Sequence, residues 1–274
     1  MTVTFVDNYT GKIVTSTKPI DIVDQNSQAV IGKARAKGGS FTYTVEKGKE
    51  YVLKSTSLGY SDVSLSAPYS SDDPSGLIRD TLYLTPFAGL PLSLYFDNDK
   101  PNGNSSVGVS SYDKTYRDFY AKKSEFIKVY NKLITSTGAS ATSSSKEMDL
   151  FFESELKGGY NKLNGFCEVL KNYLQNGNNM EIVLEGYASP LSDGEYNKSL
   201  SQRRIQSVRA SFNQFQNGVL RKYLANGKLK ITEEAIGASV NSFDARTDAS
   251  VYSMDASLNR RVVIKDIILN GNKY

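Results

Sequence analysis

Apolar side chains fall at roughly every second position in residues 2–6, 20–23, 40–45, 51–55 and 79–84, the period of strands with one buried face. Turn-forming sequences separate these runs: Thr10-Gly11-Lys12, Gly38-Gly39, Lys47-Gly48-Lys49, Gly59 and Pro74-Ser75-Gly76. Short strands at this spacing predict an all-β sandwich over residues 1–88. Residues 86–90 read as a linker and 91–96 as a further strand, after which the period lengthens. Residues 113–133 place Tyr116, Phe119, Tyr120, Phe126, Ile127 and Tyr130 mostly at helical spacing. Residues 145–174 repeat the pattern with Phe152, Leu156, Tyr160, Leu163, Cys167, Leu170 and Leu174. Between them, the Ser/Thr-rich stretch 135–145 has no apolar period and reads as a mobile loop. Asn176-Gly177 ends the second helix; residues 180–184 then form a buried strand, 192–215 a helix, 229–231 a short strand and 261–269 a closing strand. The second part, residues 91–274, is therefore an α/β or α+β domain with helices packed on a mixed sheet.

Composition narrows the chemistry. A chain of 274 residues with 39% apolar and 23% charged residues is expected to hold two soluble domains. The formal charge of +4 is not gathered into a basic run, so no nucleic-acid partner is expected. The absence of His and the single Cys remove His-based triads, His metal sites and disulfides within the chain. A Ser or Thr nucleophile would need a Lys or an amine as base, and zinc would have to be held by carboxylates and one thiol. No enzyme activity, cofactor or metal site is predicted. Cys167 shares an apolar helical face with Leu163, Phe166 and Leu170 and reads as a packed thiol; the aromatic stripes likewise read as core. The segment 97–104 is rich in oxygen ligands, but Pro101, Asn102 and Gly108 stand where a calcium loop starting at Asp97 needs an oxygen ligand, Gly and Glu. No apolar run reaches about 18 residues and the chain opens on an alternating strand, so neither a membrane span nor a signal peptide is expected.

Two stretches resemble known families. Val6-Asp7, Thr10-Gly11-Lys12, Gly39-Ser40-Phe41, Gly48 with Tyr51-Val52-Leu53, and Gly59-Tyr60 resemble a carboxypeptidase regulatory-like domain, a transthyretin-like or immunoglobulin-like sandwich without catalytic residues. Each glycine is also explained by a turn that needs positive φ, so an unrelated sandwich stays open. Residues 185–208 resemble an OmpA-like domain, in which a buried strand ends in Gly-His-Thr-Asp and the next helix carries an Asn, a Leu-Ser pair and an Arg. Gly186, Asn197, Leu200, Ser201 and Arg204 occupy those places without a gap, and Asn259-Arg260-Arg261-Val262 matches the closing Asn-Arg-Arg-Val. The Gly-Tyr-Ala-Ser-Pro form, with Val251-Tyr252-Ser253 ahead of the Arg pair, looks like a variant of Bacteroidetes outer-membrane proteins in which this domain follows a regulatory-like sandwich.

That resemblance implies a non-catalytic periplasmic module that binds peptidoglycan through the diaminopimelate of its peptide stem and tethers an outer-membrane assembly of protein partners to the wall. The family's Arg grips a carboxylate, as a planar guanidinium can, and its Asp takes the ammonium. The implied ligand-binding residues are Arg204, Asn197, Ser189, Ala188, Leu200 and Arg261. The sequence departs from the pattern at Tyr187-Ala188-Ser189: fifteen positions before Arg204, where the family has Asp, stands Ser189. Losing one side of a buried charged pair costs about 2–5 kcal/mol, roughly 30- to 5,000-fold in affinity. Asp193 and Glu195 are the nearby carboxylates that could serve instead. Two other readings remain: an OmpA-like scaffold that has lost its ligand, and an enzyme using Asp97 with Asp99 or Asp193 with Glu195 as a carboxylate pair, though no neighbour is visibly placed to tune them.

Overall fold

Alternation decides the first strand: in β1 (Thr2–Asp7), Val3, Phe5 and Asp7 are buried and the residues between them partly exposed, as a pleated strand with one covered face requires. The computed structural model describes residues 1–15, 19–46, 49–55, 60, 63–68, 79–87, 89–102, 108–136, 138, 141–238 and 250–273. Gly48, Gly59, Pro74-Ser75-Gly76 and positions 103–104 of the polar segment lie outside the described residues. The chain has an α+β composition and divides into two units, Met1–Gly89 with Asn164–Val169, and Leu90–Leu163 with Leu170–Tyr274.

In the first unit β1 is followed by β2 (Pro19–Asp24), β3 (Val30–Arg35), β4 (Ser40–Thr42), β5 (Glu50–Ser55), β6 (Val63–Pro68) and β7 (Arg79–Leu84). They form two sheets, β4-β1-β7 and β3-β2-β5-β6. β1 and β7 run parallel from Thr2↔Arg79 to Asp7↔Leu84, and the other pairs are antiparallel. Val3, Phe5, Phe41, Leu82 and Leu84 from one sheet share a core with Ile20, Ile22, Tyr51 and Leu53 from the other. Buried Asp7 accepts from the amides of Tyr9 and Thr10 at 3.0 and 2.8 Å, which closes the turn that Gly11 completes at φ +65°. β3 escapes the sequence pattern because its residues are exposed or partly exposed throughout, so burial imposes no apolar alternation on it.

The second unit contains β8 (Leu92–Tyr95), α1 (Tyr112–Tyr120), α2 (Lys123–Thr135), α3 (Ala141–Leu150), a π-helical segment Phe151–Leu156, and α4 (Lys157–Gln175). There follow β9 (Met180–Ala188), α5 (Gly194–Gly218), α6 (Arg221–Ala225), β10 (Leu229–Ala238), α7 (Met254–Asn259), β11 (Arg261–Leu269) and β12 (Asn272–Lys273). The sheet runs β10-β9-β11, with β8 and β12 pairing the remaining edge of β11. β10 lies parallel to β9 and the other pairs are antiparallel, a mixed sheet. Register does the positioning: Val262 of β11 pairs Leu94 on one side and Gly186 on the other. The last residues of β8 and β9 and the first of β11 therefore meet at one end of the sheet.

The helices differ from the reading in two places. The stretch 113–133 is broken at Ala121 and Lys122, and the presumed loop 135–145 already enters α3 at Ala141. Packing overrides weak propensity there: Ser144 Oγ donates to Asn131 Oδ1 at 2.7 Å, and Met148 is buried with Phe119, Phe126, Phe151 and Phe152. The extra residue per turn of the π segment lets the consecutive Phe151 and Phe152 both enter that cluster. Cys167 is buried and outside any disulfide, and burial pushes its thiol up. Among the described residues no helix is long and apolar enough to cross a membrane.

Two contacts in this unit generate predictions. A Cβ on Gly186 would come within 2.6 Å of the Ser201 carbonyl oxygen and 2.9 Å of the Ile205 side chain, so α5 can lie this close to β9 only over a glycine. Gly186→Ala is expected to destabilise the protein by about 1–3 kcal/mol in urea unfolding. Glu153 receives Lys123 at 2.6 Å, Lys157 at 2.7 Å and the Tyr120 hydroxyl at 2.5 Å, which lower its carboxyl from 4.5 to about 2. A depressed carboxylate stabilises above its unfolded pKa and loses that contribution as pH falls through the folded one. Glu153→Gln should thus lower the melting temperature at pH 6, with the gap to the parent closing between about pH 4.5 and pH 2.

Candidate functional site

β9 ends in Gly186-Tyr187-Ala188-Ser189, and the chain turns through Pro190, Leu191 and Ser192 into α5. Asp193 caps that helix, its Oδ1 accepting from the Tyr196 amide at 2.8 Å. Asn197, one turn on, donates from Nδ2 to the Ser192 carbonyl at 2.8 Å and so fixes the loop on the helix. Opposite stands the loop leaving β8. Its Phe96 amide bonds the Arg260 carbonyl at 2.8 Å, and Asp97, buried, accepts from Lys122 Nζ at 2.7 Å.

Between loop and helix lies a cleft of about 210 Å³ lined by Asn98, Asp99, Ser189, Leu191, Ser192, Tyr196, Asn197 and Leu200. Sites for drug-sized ligands run from about 300 to 1,000 Å³, so this one suits the end of a side chain rather than a whole sugar or peptide unit. Hydroxyl and amide groups converge on it with one carboxylate, Asp99. The Tyr196 hydroxyl donates to Asp99 Oδ1, and the Arg203 guanidinium stands 3.7 Å from the same oxygen while covering the Tyr196 ring at 5.5 Å.

Of the residues expected from sequence, Ser189, Asn197 and Leu200 come together in this cleft. Ala188 is fully buried and outside the lining. Arg261 also lies outside it, over the Tyr187 ring at 4.9 Å and donating to the Leu258 carbonyl at 2.6 Å. Asp193 is committed to its cap and Glu195 is exposed; neither lines the cleft. Leu191, Ser192 and Tyr196 are not among the residues that the sequence singles out; Asn98 and Asp99 lie in the oxygen-rich segment, whose calcium reading fails, and Asp99 otherwise figures only in a carboxylate pair with Asp97.

Arg204 takes a different position from the one its motif suggests. It is 0% exposed, and each nitrogen of its guanidinium donates to a main-chain carbonyl: Nε to Lys100 at 3.0 Å, Nη1 to Tyr187 at 2.8 Å and Nη2 to Asp97 at 3.3 Å. The Phe96 ring lies 5.6 Å from the guanidinium. Burial, reinforced by the positive charges of Arg260 and Arg203, pushes Arg204 down to about 9, so it remains protonated at neutral pH. In this arrangement Arg204 ties the β8 loop to the end of β9. Arg204→Ala would leave three carbonyls without their donor, each unsatisfied buried acceptor costing about 1–3 kcal/mol. A loss of at least about 3 kcal/mol in unfolding free energy is expected, read by urea denaturation.

Glu185, one residue before Gly186, completes the local charge pattern. Burial raises its carboxyl, but hydrogen bonds from Lys265 and from the Tyr187 hydroxyl at 2.7 Å outweigh that, and the net shift is downward. Tyr187 is thus engaged with Glu185 and Arg261, turned to the sheet's own charges.

No protein-family model and no curated protein matches the chain. Among solved structures, the chain is similar to the crystal structure of the peptidoglycan-associated lipoprotein from Burkholderia pseudomallei, at 18% identity and a TM-score of 0.26 over 38% of this chain and 73% of that one. At that level the likeness carries no functional argument, and the site stands on its own geometry.

Proposed function

We propose that the second unit is a non-catalytic OmpA-like module that binds peptidoglycan by the diaminopimelate end of its peptide stem, in the cleft between the β8 loop and the start of α5. One observation carries this reading. Two residues of the OmpA-like motif, Asn197 and Leu200, line a single cleft of end-group size together with Ser189, which stands where the family has Asp, and with Asp99. The cleft is partly open, small and polar, which suits recognition of a charged terminus by hydrogen bonds and screened charges. On this reading the protein works in the periplasm and holds an outer-membrane assembly to the wall, with the two-sheet first unit, read as a regulatory-like sandwich, facing its protein partners.

A second reading has an observation of its own. Every nitrogen of Arg204 already has a carbonyl partner, which favours a scaffold that kept the motif for stability and gave up the ligand. Co-sedimentation with purified sacculi separates the two. The binding module is expected in the pellet, and the scaffold in the supernatant. Binding should weaken as ionic strength rises from about 0.1 M to 1 M, over which the screening length shrinks from about 10 Å to about 3 Å. Sedimentation that is strong and indifferent to salt would argue against recognition by charge.

A further inference from the structure

α3 and the π segment run on as one helical rod, and Glu147, Leu150, Phe151, Ser154 and Glu155 recur along it at the offsets that keep residues on one stripe. Met254 and Leu258, four apart on α7, face that stripe across a groove of about 530 Å³. We propose that this groove docks a helix of a protein partner, one whose apolar residues are flanked by Lys or Arg about two turns apart. The inference is independent of the peptidoglycan-binding reading, because the cleft of that reading shares no lining residue with the groove.

The apolar part of the groove is built and open. Phe151 is buried in the aromatic cluster, Met254 and Leu258 pack against the same cluster, and Leu150 stands beside them 51% exposed. A lone exposed leucine is ordinary, but this one lies in a concave surface with three apolar neighbours. The volume falls within the range of about 300 to 1,000 Å³ common to ligand sites. One wall is a π-helical turn, a geometry that recurs at functional sites, and it contributes Phe151, Ser154 and Glu155 to the lining.

Charge selects the occupant. Glu147 and Glu155 are exposed at the two ends of the stripe, eight residues and so about 12 Å of helical rise apart. Each is oriented by a tyrosine hydroxyl: Tyr130 donates to Glu147 Oε2 at 3.1 Å and Tyr95 to Glu155 Oε2 at 3.2 Å. Burial, together with Glu147 and Asp255, pushes Tyr130 up to about 12, so its hydroxyl keeps the donated proton at neutral pH. Among the described residues neither carboxylate is paired with a Lys or Arg. Arg261, whose charge reaches the Tyr95 hydroxyl, is engaged with the Tyr187 ring at 4.9 Å and the Leu258 carbonyl at 2.6 Å. An ionised carboxylate offers about four acceptor sites, so each glutamate retains capacity for a cation. On a partner helix, basic residues seven positions apart lie about 10 Å from each other on one face, and their aliphatic stems can extend over the apolar flanks. The residues between them would meet Leu150, Phe151, Met254 and Leu258 in the helix-in-groove manner. An anionic lipid surface would be repelled by both carboxylates.

Fluorescence anisotropy with two labelled helical peptides tests this. Both carry leucines along one face; two flanking positions, seven apart, are Lys in one peptide and Gln in the other. The parent protein is expected to bind the Lys peptide about tenfold more tightly, the effect of two partly exposed charge pairs. A variant carrying both Glu147→Gln and Glu155→Gln, whose amide oxygens still accept from the tyrosines, should bind the two peptides equally. Leu150→Lys, at an exposed position that the fold does not need, should weaken the Lys peptide by at least about tenfold. Equal binding of the two peptides by the parent, binding of neither, or an unchanged preference in the double variant overturns the proposal. A parent that sediments as a dimer in analytical ultracentrifugation, with Leu150→Lys a monomer, overturns it too and gives the groove to a second copy of the chain.

Discussion

The second unit depends on burying a guanidinium that no carboxylate meets among the described residues. Arg204 has lost all contact with solvent, and a cation so placed has to be ringed by acceptors. The available acceptors are main-chain carbonyls, and their sources are set by topology: Tyr187 from the end of β9, and Asp97 and Lys100 from the loop leaving β8. β8 and β9 are not hydrogen-bonded to each other, because β11 lies between them. Arg204 therefore joins, above the sheet's end, two segments that the sheet itself holds apart. Arg260 repeats the device one layer over, with Nε on the Phe96 carbonyl at 3.3 Å, Nη1 on Val251 at 2.8 Å and Nη2 on Ser257 Oγ at 3.0 Å. The residues between the two arginines, Phe96 and Asp97, have little freedom left.

Charge explains why this arrangement ends at a polar cleft. Two buried guanidiniums repel each other, and among the described residues Asp97 is the buried carboxylate that acts on Arg260. It is already shared with Lys122. The excess positive potential is thus met at the surface, where Asp99 faces Arg203 and Tyr196.

Elements whose burial dictates their composition were legible in the sequence. β1, β2, β5 and β7, the buried face of the long helices and the core of β9 all carry the period that burial imposes. The unread elements lacked that signal for definite reasons. β3 is exposed or partly exposed along its length; α3 is Ser-rich and is ordered by Asn131 and the aromatic cluster; β10, read only over 229–231, alternates between exposed and partly exposed residues after its first position until Gly237. At the site, motif spacing brought Ser189, Asn197 and Leu200 forward, since fixed offsets along a strand, turn and helix survive folding. Asp99 comes from ninety residues earlier in the chain than Ser189, and no local spacing could announce that β11 would bring the two segments to the same end of the sheet.

The same distinction separates what the OmpA-like motif specifies from what a ligand would read. Gly186 is demanded by the approach of α5, whose Ser201 carbonyl leaves no room for a Cβ. Ser201 is itself buried, its Oγ accepting from the Gly237 amide at 3.1 Å where β10 bulges. Asn197 binds the Ser192 carbonyl, and Arg204 fastens the β8 loop. Each matched position thus has a packing task that holds whether or not anything is bound, and a chain can keep all of them under selection for stability alone. The spacing on which the resemblance rests is therefore also the spacing that this packing requires.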